Sequence, residues 1–143
     1  MAPVPNGVYA IGKPEEQLLT LMGAKEFVVL LPPTGNPGDQ EWQVEALDNG
    51  NVRIRSLRHE TFLGYDEDPI VNAQVKGSAE PREWALYQAA EPFTFHVVVP
   101  GGPIDGVELA LDLSLLRIFP PRTALRPLDV DDQQQAWRFQ FHE

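Results

Sequence analysis

The chain has no cysteine among its 143 residues. That excludes a disulfide framework, a thiol nucleophile, an iron–sulfur cluster and a cysteine-based zinc site together. Long apolar runs are missing too. The longest, Phe27 to Pro33, falls far short of the ~20 residues a membrane-spanning helix requires. Positive charge is scarce, with 11 Lys and Arg against 21 Asp and Glu and a formal net charge of −10. Phosphate neutralisation would start from the wrong sign, and the basic residues are scattered, so no nucleic-acid partner is expected. The opening Met1-Ala2-Pro3-Val4-Pro5-Asn6-Gly7 has neither a basic start nor an apolar core, so it does not read as a secretory signal. A soluble, cytoplasmic chain with no membrane partner is expected.

The length suits one domain, residues 1–143, which can bury about two-thirds of its unfolded surface without a metal or disulfide. Its 14 prolines and 11 glycines are spread throughout and leave little room for helices of ordinary length. The stretches between them are strand-like. Gly7 to Gly12, Gln17 to Met22, Phe27 to Leu31, Glu41 to Leu47 and Asn51 to Leu57 begin the series. Thr61 to Tyr65, Pro69 to Val75, Trp84 to Gln88, Phe93 to Val99, Val107 to Leu113, Leu115 to Phe119 and Ala136 to Phe141 complete it. Asn49-Gly50 between two alternating runs predicts a hairpin. About twelve short strands with frequent turns imply a sandwich or barrel. Gln17 to Met22 and Glu108 to Leu116 also admit a helical turn, because periodicity cannot arbitrate over spans so short.

An internal repeat narrows the choice. Trp42, Trp84 and Trp137, the only three tryptophans, each follow a polar residue by two positions and precede a hydrophobic one by two, at spacings of 42 and 53 residues. Each unit then holds about four strands, and such units bury their apolar faces only against one another. Three four-stranded repeats closing with pseudo-threefold symmetry make an all-β β-trefoil, with one tryptophan per unit turned into the barrel core.

The chemistry-bearing residues form no catalytic constellation. His59, His96 and His142 are far apart and have no ligand-spaced neighbours, and no phosphate-cradling glycine loop or nucleophile elbow is present. Asp66-Glu67-Asp68 and Asp129-Val130-Asp131-Asp132 read as solvated acidic loops. A non-enzyme without metal or cofactor, acting as a monomer through its loops, is expected. Three loops offer cations: Gly23-Ala24-Lys25-Glu26, Ser56 to Glu60 with Arg58, and Phe119 to Pro127 with Arg122 and Arg126. Taken singly, each is a surface cation in a turn.

The opening Asn6-Gly7-Val8-Tyr9-Ala10-Ile11, the Trp42 strand with its Asn49-Gly50 hairpin, and the terminal Trp137-Arg138-Phe139 are similar to the small mushroom serine protease inhibitors of the cospin (mycospin) type. The resemblance implies a trypsin-like serine protease as partner, bound through the loop between the second and third strands. That loop is Gly23, Ala24, Lys25 and Glu26, with Lys25 as the basic anchor; Arg122 and Arg58 are secondary candidates. Glu26 directly after the anchor departs from a simple basic site. Related fungal trefoils inhibit cysteine proteases through other loops, here Ser56 to Glu60. A β-trefoil lectin is the alternative, because Gln-x-Trp recurs in ricin-type sugar-binding trefoils. Those sites pair an early Asp with an aromatic platform and an Asn, a set the sequence alone does not assemble.

Overall fold

The computed structural model describes residues 4–13, 17–35, 37–65, 68–103 and 106–142. Twelve strands follow in order: β1 Gly7–Lys13, β2 Gln17–Thr20, β3 Val29–Leu31, β4 Trp42–Ala46, β5 Val52–Ser56, β6 Phe62–Gly64, β7 Lys76–Ser78, β8 Glu83–Gln88, β9 Thr94–Val98, β10 Leu109–Leu113, β11 Thr123–Pro127 and β12 Trp137–His142. Among the described residues helical structure is limited to two short 3-10 turns, Pro37–Asp39 and Gln133–Gln135. The Leu-rich spans that admitted a helical turn are strands β2 and β10.

Six strands close a ring. β1 pairs β4, β4 pairs β5, β5 pairs β8, β8 pairs β9, β9 pairs β12 and β12 returns to β1, all antiparallel. Closure leaves the barrel no free edge for another chain to extend. The other six strands form the hairpins β2–β3, β6–β7 and β10–β11. Where the hairpins meet, Val28 N–H donates to the Val75 carbonyl, Val75 N–H to Thr123, and Thr123 N–H back to Val28. A second set repeats the cycle outward: Leu30 to Pro121, Gly77 to Glu26, and Leu125 to Ala73. Backbone groups that would otherwise be buried without partners are thereby satisfied around a threefold axis.

Period-two alternation explains the core. Trp42 and Val44 on β4 and Val52 and Ile54 on β5 are buried, with partly exposed residues between them. The expected hairpin joins these strands, and Gly50 takes a φ of 91° there, a backbone conformation that favours glycine. Trp42, Trp84 and Trp137 are all fully buried. Their indole nitrogens donate to the carbonyls of Leu19 (3.1 Å), Leu63 (2.9 Å) and Leu111 (2.9 Å), one on each of β2, β6 and β10. The repeat read from the sequence is thus one interaction made three times.

Three expected segments are corrected. Pro69 to Val75 is a turn rather than a strand, and β7 begins at Lys76. Leu115 to Phe119 is a loop, whereas most of the expected loop Phe119 to Pro127 is β11. Register decides this: β10 pairs β11 from Leu109↔Pro127 to Leu113↔Thr123, which leaves 114–122 outside the ladder. Pro127 is tolerated because β11 lies at the end of the sheet order, and edge strands accept proline.

Replacing any one tryptophan by Phe should lower stability by about 2–3 kcal/mol, through a small cavity and a buried carbonyl left without its donor. Urea unfolding of the three variants should give losses within about 1 kcal/mol of each other, because each indole is fully buried and makes the same bond.

Candidate functional site

The loop expected to carry function, Gly23 to Glu26, is a four-residue turn closed by Glu26 N–H to the Gly23 carbonyl at 3.1 Å. The β6–β7 hairpin fastens it. Thr61 Oγ1 donates to the Ala24 carbonyl at 2.7 Å, and Gly77 N–H donates to Glu26 at 3.0 Å. Position 77 admits only glycine beneath the turn, since a Cβ there would lie 2.1 Å from the Ala24 oxygen. Lys25 is exposed, beside a shallow cavity that also involves Tyr65, Lys76, Glu80 and Arg82.

The secondary candidates are engaged elsewhere. Arg122 is half-buried, with its guanidinium 4.1 Å from the centre of the Phe27 ring. Arg58 pairs with Asp39 at 3.3 Å, and the same carboxylate oxygen lies 2.9 Å from His59 Nε2. The structure does not bring Lys25, Arg58 and Arg122 into one site. A cation the sequence reading missed is Arg117, which is exposed in the 114–122 loop. Leu115, Leu116, Ile118 and Phe119 flank it, all exposed, Phe119 to 86%. Ser114 N–H to the Arg122 carbonyl at 2.8 Å pins the loop's base. The apolar run Leu115 to Phe119 resembles a strand in sequence, which masks this residue.

Comparing the three units exposes a second constellation. In the first, Gln40 Nε2 donates to Thr20 Oγ1 at 3.1 Å and to the Pro32 carbonyl at 2.9 Å, while its Oε1 accepts Thr34 N–H at 3.1 Å. In the third, Gln135 Nε2 donates to Asp112 Oδ2 at 3.2 Å and to the Pro127 carbonyl at 2.9 Å, while its Oε1 accepts Asp129 N–H at 2.8 Å. The second unit departs from this pattern. Arg82 replaces the glutamine, donates to the Tyr65 carbonyl at 3.1 Å and stacks 4.4 Å from the Tyr65 ring. Gly64 leaves the room, since a Cβ there would sit 2.9 Å from Arg82 Cγ. The equivalent positions are therefore Thr20, Gly64 and Asp112, and only the third unit has a carboxylate, oriented by Gln135 and by Leu113 N–H at 2.7 Å.

Next to Asp112, Leu113 lines a cavity of about 540 Å³ whose other walls include Lys13, Glu91, Thr94, Gln134 and Arg138. Lys13 Nζ donates to the carbonyls of Gln134 and Ala136 and lies 4.0 Å from the centre of the Trp137 ring. Burial pushes its pKa down to about 8, with the carboxylates of Asp112 and Asp132 pulling the other way. His96 on β9 is 1% exposed, and neither ring nitrogen has a hydrogen-bond partner among the described residues. Burial holds the ring below the ordinary histidine range. The Val130 backbone pulls upward, although its approach does not meet hydrogen-bond geometry. Among the described residues no group of three or more His, Asp or Glu is placed to hold a metal ion. The cavity offers amides, a carboxylate and cations, which suit a ligand rich in hydroxyls.

A closed six-stranded barrel capped by three hairpins defines a β-trefoil protein. No protein-family profile matches the sequence, and no curated protein is significantly similar to it. Solved structures do match. The Macrolepiota procera ricin B-like lectin, solved in complex with lactose, superposes with a TM-score of 0.77 at 20% identity, over 99% of this chain and 100% of that one. The Rhizoctonia solani agglutinin gives 0.77 at 17% identity, over 99% of each chain. The designed threefold-symmetric protein ThreeFoil gives 0.76 at 16% identity, over 95% of this chain and 99% of its own. At these identities the likeness establishes the fold.

The depressed Lys13 value is measurable. Its side-chain NMR resonances should titrate near pH 8, well below an ordinary lysine. The folded value lies below the unfolded one of 10.5, so the folded chain releases this proton first. The group's contribution to stability is therefore lowest below pH 8 and rises as pH climbs from about 8 toward 10.5. A Lys13→Met variant should lose that rise.

Proposed function

We propose that this chain is a carbohydrate-binding β-trefoil protein, without catalytic activity, whose binding site is the polar cavity of the third unit. The observation that carries the reading is the Asp112–Gln135 pair, present in one unit only among the described residues, whose chain neighbours Leu113, Gln134 and Ala136 line that cavity. A carboxylate held by its own amide partner is a preorganised acceptor for vicinal hydroxyls, and charge-assisted hydrogen bonds are the strong ones. Gln134 adds an exposed amide beside it. The lectins that share the fold support the reading, one of them solved with lactose. One element expected of a sugar-binding trefoil is not there: no aromatic side chain lines the cavity among the described residues, and the exposed Leu113 supplies its apolar surface.

Calorimetric titration with lactose, alongside a glycan array, tests the proposal. Binding should be saturable, and Asp112→Ala should weaken it at least tenfold while leaving the melting temperature within a few degrees. A parent protein that retains no sugar on the array, or an Asp112→Ala variant that binds normally, overturns the reading.

A second reading, inhibition of trypsin-like serine proteases, is favoured by the 114–122 loop. Arg117 there carries a long side chain between exposed apolar neighbours on a base pinned to the barrel. A basic side chain suits a specificity pocket with a carboxylate at its base, and interface hot spots favour Arg among apolar contacts. Lys25, on its braced turn, is the other anchor for this reading. In a trypsin inhibition assay, Arg117→Ala should weaken inhibition at least tenfold and Lys25→Ala much less. The reverse order returns the role to Lys25, and a parent that never slows trypsin removes the reading.

A further inference from the structure

A second cavity, of about 550 Å³, opens on the other side of the turn that carries Glu91. The polar cavity takes Glu91 and Thr94 from this turn, and the second takes Pro92 and Phe93; Arg138 on β12 lines both. Apart from Arg138 and Gln140 the second cavity is lined by apolar and aromatic groups, among them Val4, Pro5, Tyr9, Phe93, Phe139 and Phe141. Two adjoining recesses thus differ sharply in chemistry and share one cation.

The apolar recess is built rather than incidental. Phe93 holds a φ of 60°, the left-handed region that a bulky residue enters only at a cost. Its carbonyl is tied by Phe139 N–H at 2.8 Å, and Thr94 Oγ1 closes the turn onto the Glu91 carbonyl at 2.6 Å. The result is a phenyl ring 67% exposed at the rim. Opposite it, the half-exposed Phe141 lies over Gly7, where a Cβ would come within 2.5 Å of the ring, and stands edge-on to Tyr9 at 5.3 Å. Tyr9 in turn donates its hydroxyl proton to the Pro5 carbonyl at 2.7 Å, holding the segment that forms the far wall. Ligand recesses usually combine such apolar surface with a few convergent polar groups.

We propose that this recess takes the apolar aglycone of a glycoside whose sugar occupies the polar cavity, so that the ligand class is aryl or alkyl glycosides rather than free sugars. The proposal rests on the carbohydrate reading of the third unit. The occupant follows from continuity: a ligand spanning the Arg138 side chain meets hydroxyl-matching amides and a carboxylate at one end and aromatic rings at the other. Arg138 pairs with Glu91 at 3.8 Å, and both side chains are exposed, so the bridge between the recesses is loose enough to admit a glycosidic link.

Calorimetric titration with methyl β-lactoside and 4-nitrophenyl β-lactoside separates the two claims. The nitrophenyl glycoside should bind at least tenfold tighter. Phe93→Gly removes the ring while suiting the backbone's positive φ, so this variant should melt no lower than the parent and should abolish the tenfold ratio. Phe141→Ala should reduce the ratio from the other wall. Equal affinities of the two lactosides in the parent overturn the aglycone site and leave the sugar reading standing. A ratio that persists in both variants overturns it as well. Failure of both lactosides to bind overturns this proposal, and the sugar reading falls with it when the array also retains nothing.

Discussion

One bond from an indole N–H to a backbone carbonyl, made once in each unit, joins the barrel of this protein to its cap. The donor sits on the strand that ends a repeat, and the acceptor on the strand that opens a capping hairpin. Tryptophan fits because it combines a large apolar body with one donor at its edge, so it fills the core and satisfies a carbonyl at once. The cyclic bonds among Val28, Val75 and Thr123 then lock the three hairpins to one another. With that frame fixed, side chains at the rim are free to differ between units.

Those differences are where binding chemistry arises. A threonine, a glycine and an aspartate occupy the same place in the three units, and the residue facing them is glutamine, arginine and glutamine. Each combination is locally self-consistent, with every long polar side chain given a partner, so the frame tolerates the exchange. Only the aspartate leaves a charged acceptor beside an open recess. The hairpin loops vary in the same way: a braced four-residue turn in the first unit, and a longer loop carrying Arg117 and exposed apolar side chains in the third.

The parts of this architecture that the sequence displays are those set by local rules. Asn49-Gly50 announces its hairpin through the φ that Gly50 must adopt, and the three tryptophans announce the repeat through spacing. The Leu115 to Phe119 segment misleads because apolar content resembles a buried strand, whereas burial depends on whether β11 offers partners at that register. Asp112 and Gln135 lie 23 residues apart and meet only when β10 and the 3-10 turn before β12 fold together, so neither stands out in the linear chain. His96 alternates with Phe95 and Val97 as a surface residue would, yet β9 is buried on both faces, a circumstance set by its neighbours rather than by its own residues.

The ring at the cap also bears on how the chain is made. Residue 28 waits for a partner at residue 123, and β1 cannot close the barrel until β12 reaches it. A nascent first repeat leaving the ribosome therefore exposes its apolar face and unpaired backbone until β12 has been synthesised. Folds dominated by such distant pairings assemble slowly. For this molecule the hazardous interval is that of synthesis, when a chaperone or a low expression rate would matter most.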